Sequence, residues 1–285
     1  MTVHLIRYKM LLVFFTVGLI TILIIISSAG TVLGDLVTAA IPVGEFPQAL
    51  IFNPSNNDTY VSNRDSGTVS VIDSTSNSVI KNITVGSSPG QLLFNPSNNN
   101  IYVANAVSNT VSVIDSTNMT ANEVEVETSP VALEFNPSNN NIYVANRDSG
   151  TVSVIDSTSN SVIEDTSVES LPFALEFNPS NNNIYVANRD SGTVSVIDST
   201  NNTLLKNVVV GSEPVALEFN PSNNNIYVAN FVSNSVSMIA NTNNTVSDTV
   251  NVSSLPIALE FNPSNRSVYV AGTLTGTEGL VSVIG

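Results

Sequence analysis

The sequence predicts an all-β fold, a β-propeller of six four-stranded blades closed by an N-terminal strand. The propeller is predicted to follow an N-terminal hydrophobic helix. Three observations lead to this prediction. A motif occurs six times at spacings of 41 or 42 residues, each copy holds four strand-like segments, and the two ends of the array carry complementary parts of one blade. A repeat of this length with four strands per unit is typical of propellers.

The first segment, residues 1–29, is predicted to direct the chain out of the cytoplasm. Arg7 and Lys9 give it a positive start, and residues 10–29 carry no charge. A helix of this length, at ~1.5 Å per residue, reaches the ~30 Å thickness of a bilayer core. The alternatives are a retained transmembrane anchor, which makes the membrane a partner, and a signal peptide that is cleaved near its small residues. Residues 30–35 then form a linker, and the repeats lie outside the cytoplasm in either case.

Residues 36–285 carry the repeats. In the third copy we expect strands at 131–135, 141–146, 151–156 and 161–168, because Val, Ile, Tyr, Phe and Thr favour strands. The segments between them are rich in Asn, Pro, Ser, Asp and Gly, which form turns. Each copy contains the phrase Phe-Asn-Pro-Ser-Asn, which begins at Phe52, Phe94, Phe135, Phe177, Phe219 and Phe261.

The two ends of the array predict how the ring closes. The last copy stops after its third strand at Gly285, whereas residues 37–44 match the fourth strand at 79–86 and precede the first copy. The N-terminal strand would therefore complete the sixth blade, which leaves no unpaired blade at either end. Pro42 is compatible with such an outermost strand, whose free edge needs no N–H group.

Composition excludes several classes of function. The 23 acidic residues outnumber the 8 basic ones, and the net charge is −15, so a nucleic-acid partner is not expected. The chain has no Cys, and its single His is His4. The repeats therefore lack the thiol and imidazole groups that Ser-His-Asp, Cys-His and most zinc sites require.

The repeats resemble the YVTN-type β-propeller family, which is found in archaeal surface-layer-like proteins. The motif reads YVSN at 60–63, YVAN at 102–105, 143–146, 185–188 and 227–230, and YVAG at 269–272. The resemblance implies a propeller, and relatives with seven blades are common, whereas six copies are counted here. It says little about activity, because one fold hosts many functions.

Four glutamates are the most distinctive polar residues of the predicted innermost strands. They occupy one register position in copies three to six, where the first two copies have Ile51 and Leu93. One interpretation is a calcium site built from carboxylate oxygens; the other is that the carboxylates face water in the central channel. Like charges in this arrangement would raise some of their pKa values. The four residues are Glu134, Glu176, Glu218 and Glu260.

The loops between second and third strands vary among the copies and form a candidate partner-binding face. They hold three Arg-Asp pairs, which are read either as solvated turns or as a recognition surface, and aromatic residues near them are possible anchors. The candidate residues are Arg64, Asp65, Arg147, Asp148, Phe173, Arg189, Asp190 and Phe231.

Seven sequons for N-glycosylation occur, none of them in a loop between second and third strands. Five fall in predicted turns on the opposite face, and two fall on outer strands. They begin at Asn57, Asn82, Asn118, Asn201, Asn243, Asn251 and Asn265.

Near-identical blades, acidity and the export segment favour a non-catalytic cell-surface module that acts in adhesion, envelope structure or binding of an envelope protein or polysaccharide. An enzyme needs a unique, asymmetric set of groups, which near-identical repeats do not obviously supply. The alternative is a propeller enzyme, similar to metal-dependent lactonases or lyases, that uses the channel carboxylates.

Overall fold

A computed structural model of the chain describes residues 37–253, 255–273 and 279–285. Residues Ile41–Gly285 form one compact unit whose regular structure, where described, is entirely β-strand. No helix in the described ranges is long and apolar enough to cross a membrane. The predicted helix at residues 10–29 and the linker at 30–35 lie outside those ranges.

The first three repeats each form a four-stranded antiparallel sheet, which we call a blade, with the strands in chain order. Blade 1 comprises β1 (Pro47–Asn53), β2 (Asp58–Asn63), β3 (Thr68–Asp73) and β4 (Ser78–Thr84). Blade 2 comprises β5 (Pro89–Phe94), β6 (Ile101–Asn105), β7 (Thr110–Asp115) and β8 (Thr120–Glu125). Blade 3 comprises β9 (Pro130–Asn136), β10 (Asn141–Asn146), β11 (Thr151–Asp156) and β12 (Ser161–Ser167).

Two of the remaining repeats form four-stranded blades, and the last forms a sheet of three strands. Blade 4 comprises β13 (Pro172–Asn178), β14 (Asn183–Asn188), β15 (Thr193–Asp198) and β16 (Thr203–Val209). Blade 5 comprises β17 (Pro214–Asn220), β18 (Asn225–Asn230), β19 (Ser235–Ala240) and β20 (Thr245–Asn251). Blade 6 comprises β21 (Leu255–Asn262), β22 (Ser267–Thr273) and β23 (Gly279–Ile284). The four-strand repeat predicted from the sequence is confirmed to within a residue or two.

The abundance of Asn follows from the geometry of the turns. Asn57, Asn140 and Asn160 adopt positive φ angles of 60°, 60° and 51°, a region that Asn tolerates better than most residues. In the first turn, the N–H of Asn57 donates to the carbonyl of Asn53 at 2.9 Å. The side chain of Asn53 accepts a bond from the N–H of Ser55 at 2.9 Å, so the repeated Asn-Pro-Ser-Asn segment closes each hairpin locally.

Successive blades are held together by hydrophobic cores that lie between them. Between blades 3 and 4, Tyr143, Val152 and Val154 of one sheet pack on Leu175 and Ile184 of the next. Equivalent cores join the other neighbouring pairs from blade 1 to blade 6. Blades 2–5 thus bury both faces, and the innermost strands come to lie side by side.

The structure differs from the sequence prediction at the closure of the ring. Residues 37–43 are not a strand, and β23 is the edge of its sheet instead of pairing with them. Leu50 is 72% exposed, whereas the equivalent leucine of blade 3, Leu133, is 2% exposed. The five junctions between neighbouring blades use the same residue types, so each blade is rotated by a similar angle relative to the one before it. Five rotations of this size leave the outer faces of blades 1 and 6 uncovered in this structure.

Candidate functional site

The four glutamates lie on the innermost strands, at the centre of the propeller. In blades 3–6 the glutamate is the cross-strand partner of the tyrosine in the second strand, as Glu134 is of Tyr143 and Glu176 is of Tyr185. Cross-strand partners share one face of a sheet. Because these tyrosines pack toward the following blade, each glutamate also points toward the following blade.

The carboxylates bond the backbone of the next innermost strand. The N–H of Phe219 donates to Oε1 of Glu176 at 3.2 Å, and the N–H of Phe261 donates to Oε1 of Glu218 at 3.0 Å. Glu134 accepts the corresponding bond from the N–H of Phe177. The glutamates thus bridge neighbouring blades, and each bond fixes one carboxylate oxygen while the other is left to interact elsewhere.

Burial raises the pKa of the Glu134 carboxyl to about 7, although the hydrogen bond from the Phe177 N–H acts in the opposite direction. The physical cause is desolvation, which disfavours the charged carboxylate. A carboxylate with this pKa is close to half ionised at neutral pH. It therefore meets the requirement for a general base that operates near pH 7.

The pKa of Glu176 is raised further, to about 9, first by burial and then by the negative charges of Glu134 and Glu218. Glu176 is consequently protonated at neutral pH and is able to donate a proton. Burial also raises the pKa of Glu218, and the Glu260 charge adds to that effect. Glu260 itself is exposed, since it faces the side of blade 6 that no further blade covers.

The burial of the glutamates describes their surroundings, and both interpretations of their role stay predictions. Glu134 and Glu176 are half-buried between neighbouring innermost strands. In the described part of the chain, no group of three or more acidic or histidine side chains is placed to hold a metal ion. Calcium binding by the four glutamates stays a prediction.

One polar residue of the innermost strands was not singled out from the sequence. Oε1 of Gln91, in blade 2, accepts a hydrogen bond from the N–H of Leu133 at 2.6 Å. Gln91 lies two residues before Leu93, which takes the glutamate position in that blade. The signal was available, because the other blades have alanine at the position of Gln91, but only the structure shows its contact with blade 3.

The candidate partner-binding residues fall into three local arrangements. Arg64 and Arg147 pair with their neighbours Asp65 and Asp148, at 2.9 and 2.7 Å. Arg64 also stacks on Phe46, with its guanidinium 3.9 Å from the ring centroid. These exposed pairs contribute only ~0–1 kcal/mol each, and their partner-binding role stays a prediction.

Arg189 behaves differently from the other two arginines. It leaves the adjacent Asp190 and pairs with Glu213, from the following linker, at 2.7 Å. The ring of Phe173 lies 5.7 Å from its guanidinium, so Phe173 contacts a charged group of its own blade. Phe231 is half-buried, and its N–H donates to the carbonyl of Glu213 at 2.8 Å.

All seven sequon asparagines are exposed, although several of their side chains already form hydrogen bonds. Nδ2 of Asn118 donates to Asp115 at 2.7 Å, and Nδ2 of Asn265 donates to the hydroxyl of Tyr269 at 3.0 Å. Glycosylation of these residues stays a prediction.

The chain's sequence matches a family described as "Lactonase, 7-bladed beta-propeller" over residues 74–208, which is just under half of its length. The matched segment includes Glu134 and Glu176. No curated protein sequence matches the chain significantly.

Solved structures confirm the propeller architecture at low sequence identity. The dihydro-heme d1 dehydrogenase NirN is similar with a TM-score of 0.72 and 14% identity; the match covers 83% of this chain and 54% of NirN. This chain thus spans about half the length of that relative. Virginiamycin B lyase from Staphylococcus aureus is similar with a TM-score of 0.67 and 9% identity over 83% of both chains. A functionally unknown protein from Desulfotomaculum acetoxidans gives a TM-score of 0.62 and 18% identity, covering 78% of this chain and 79% of that one.

The comparisons overturn the expected function. The chain was expected to be a non-catalytic surface module, and this expectation is wrong, because the family model that matches residues 74–208 describes lactonases. Near-identical sequences do not make the blades chemically equivalent, because the glutamates differ in burial and in neighbouring charge. The YVTN resemblance remains compatible with the match, whereas the archaeal surface-layer relationship is not shown.

Proposed function

We propose that the chain is a propeller enzyme that hydrolyses lactones by general acid–base catalysis, with Glu134 as the base and Glu176 as the acid. The observation that carries this proposal is the pair of desolvated carboxyls on adjacent innermost strands, whose pKa values of about 7 and about 9 place them in opposite protonation states near pH 8. Environments that separate the pKa values of two neighbouring carboxyls are a recurrent basis for acid–base assignment. The lactonase family match supports the choice of substrate class.

In the proposed reaction, the Glu134 carboxylate removes a proton from water as the water oxygen bonds to the lactone carbonyl carbon. The bond between that carbon and the ring oxygen then breaks, and the Glu176 carboxyl delivers its proton to the ring oxygen. The product is a hydroxy acid. Proton exchange with solvent returns Glu134 to the carboxylate and Glu176 to the neutral acid.

Hydrogen bonding orients the acid for this step. Oε1 of Glu176 is engaged by the N–H of Phe219, which directs the acidic proton to Oε2. The Phe177 N–H holds Glu134 in the same way from the next strand. The two bonds set the orientation of the carboxyls without ionising them, because desolvation remains the dominant effect on each pKa.

The test is hydrolysis of a panel of aliphatic and sugar-derived lactones by the full-length chain. The rate is measured as proton release over a range of pH. We expect kcat/KM to rise as pH passes about 7 and to fall as pH passes about 9, because the active form carries an ionised Glu134 and a protonated Glu176. Glu134→Gln and Glu176→Gln should each lower kcat/KM by about 10²–10⁴-fold and remove one limb of the profile.

Glu164→Gln is the matched control, since Glu164 is an exposed glutamate on β12 of the same blade as Glu134. It should leave both the rate and the pH profile unchanged. The proposal fails if no lactone is hydrolysed. It also fails if Glu134→Gln or Glu176→Gln keeps the parent rate and pH profile.

We also propose that the enzyme works outside the cytoplasm. The support is the uncharged segment at residues 10–29, which follows Arg7 and Lys9. The intact mass of the protein recovered from membranes would determine whether that segment is retained and whether the sequons carry glycans. Recovery of the full-length chain in the cytoplasmic fraction would contradict export.

A further inference from the structure

The turns between the first and second strands of neighbouring blades are linked by a repeated hydrogen bond. A serine hydroxyl in one turn donates to Oδ1 of an asparagine in the next, as Ser138 does to Asn182 at 2.9 Å and Ser180 does to Asn224 at 2.8 Å. The same bond joins the turns of blades 1 and 2 at 2.6 Å and those of blades 2 and 3 at 2.8 Å. The turns of four neighbouring pairs of blades are therefore tied directly together.

The fifth pair, blades 5 and 6, departs from this pattern because Arg266 takes the place of the asparagine. A guanidinium donates hydrogen bonds and accepts none, so the hydroxyl of Ser222, the equivalent serine, finds no acceptor in that side chain. Arg266 nevertheless keeps the backbone conformation of the position, with a φ angle of 59° compared with 61° at Asn224. Asn adopts this region more readily than Arg, so the backbone conformation does not favour the arginine.

Arg266 and Ser222 line an open surface pocket of about 390 Å³ where the turns of blades 5 and 6 meet. Pro221, Phe261 and Pro263 also line it. The volume lies in the lower part of the range of ~300–1,000 Å³ that is usual for small-molecule sites. Two hydrogen-bond donors beside three apolar side chains suit a ligand with oxygen acceptors at one end and an apolar body at the other.

The exposed guanidinium of Arg266 is available to such a ligand. Among the described residues no carboxylate lies within 4 Å of it, whereas the other three arginines there each pair with a carboxylate at 2.7–2.9 Å. The chain carries a net charge of −15, and Glu260 directly precedes the pocket residue Phe261. A monoanion is therefore favoured over a dianion such as phosphate, since a second negative charge would be repelled.

We propose that this pocket binds a small organic monocarboxylate. The carboxylate accepts hydrogen bonds from the guanidinium of Arg266 and the hydroxyl of Ser222, where the other junctions have an asparagine oxygen. The apolar body of the ligand lies against Phe261 and the two prolines, which removes apolar surface from water. Glu134 and Glu176 lie on blades 3 and 4, so the site is separate from them and does not depend on the hydrolysis proposed for them.

The test titrates the full-length chain with benzoate and with hexanoate and follows the amide chemical shifts by NMR. We expect at least one of the two to bind, with one molecule per chain and with shifts centred on the turns of blades 5 and 6. Benzyl alcohol, a neutral analogue of benzoate, should bind at least about tenfold more weakly, because it lacks the charge that the guanidinium recognises. Inorganic phosphate should also bind at least about tenfold more weakly. Equal binding of phosphate and the carboxylates would show a general anion site and would overturn the proposal.

Arg266→Asn is the decisive variant, because it introduces the residue that the other five copies have at this position. It should lower the carboxylate affinity at least about tenfold. Its melting temperature should equal or exceed that of the parent, since Asn suits the positive φ angle and its side chain is able to accept the Ser222 hydroxyl. Ser222→Ala should lower the affinity about two- to tenfold. Lys206→Asn is the control, since it removes one positive charge from an exposed position on β16 and should leave the affinity unchanged.

Three further results would contradict the site. The proposal fails if neither carboxylate binds, or if Arg266→Asn keeps the parent affinity. It also fails if Arg266→Asn lowers the melting temperature in the absence of ligand, because the arginine would then serve to hold the two blades together.

Discussion

At the scale of single residues, the same amino acid at one register position has different properties in different blades. Glu134 and Glu176 are enclosed by the blade that follows each of them, whereas Glu260 faces the uncovered side of blade 6. Burial raises the pKa values of Glu134 and Glu176, and the negative charges of Glu134 and Glu218 raise the pKa of Glu176 further. A row of repeated residues thus becomes an asymmetric set of groups.

The elevated pKa values predict that the fold loses stability as pH rises. Because the folded pKa exceeds the ordinary value of 4.5, the folded state holds its proton more tightly than the unfolded state from about 4.5 to 7 for Glu134 and from about 4.5 to 9 for Glu176. The free energy of unfolding therefore falls across those windows and levels off above the folded pKa. Each unit by which folding raises a pKa corresponds to a change of at most about 1.4 kcal/mol in the free energy of unfolding.

Glu176→Gln should remove most of the loss of stability that occurs between pH 5 and 9.5. Gln cannot ionise, and its side-chain oxygen still accepts the hydrogen bond from the Phe219 N–H. The measurement is thermal melting at the two pH values. Glu164→Gln should keep the parent pH dependence. A Glu176→Gln protein that loses as much stability as the parent would show that Glu176 is ionised at little cost.

At the scale of elements, a buried asparagine at the end of the second strand ties that strand to the third strand in blades 1–5. Nδ2 of Asn146 donates to Oγ1 of Thr151 at 3.1 Å and to Oγ of Ser153 at 2.8 Å, and the same cluster recurs in the neighbouring blades. Gly211 runs directly over the corresponding residue, Asn230. Because Gly211 has no side chain, its backbone lies this close to Asn230, and an added Cβ would displace the asparagine or the linker.

Gly211→Ala should destabilise the protein by about 1–3 kcal/mol, because its Cβ would lie 2.7 Å from Cβ of Asn230. Gly90→Ala is the control, since an added Cβ there meets only the carbonyl oxygen of Ala104 at 3.9 Å, which is an ordinary contact. Chemical denaturation of both variants tests the difference. Similar midpoints for the two would mean that the linker moves away from Asn230 at little cost.

At the scale of the whole molecule, the unit is held together by contacts between sequential blades. The cores at the five occupied junctions consist of side chains from adjacent sheets, and the two outer faces contribute to no such core in the described residues. Stability should therefore depend strongly on residues at the junctions and weakly on equivalent residues at the two ends.

Leu133→Ala should cost about 2–5 kcal/mol, because Leu133 is 2% exposed in the core between blades 2 and 3. Leu50→Ala, the same change at the same register position of blade 1, should cost much less, since Leu50 is 72% exposed. Denaturant titration of the isolated chain gives both values. An equally large loss for Leu50→Ala would show that the ring is closed in solution and that Leu50 is covered.

The sequence by itself determined the repeat, its four strands, the turns and the set of innermost glutamates, because these depend on local propensity and on a period that recurs six times. Only the tertiary structure decided that the glutamates lie between blades, that Glu176 is more strongly perturbed than Glu134, and that blades 1 and 6 stay apart. These properties depend on the angle between sheets and on which blade has a neighbour. Repeats of nearly identical sequence do not predict these properties. The copies acquire different surroundings only when the blades are assembled.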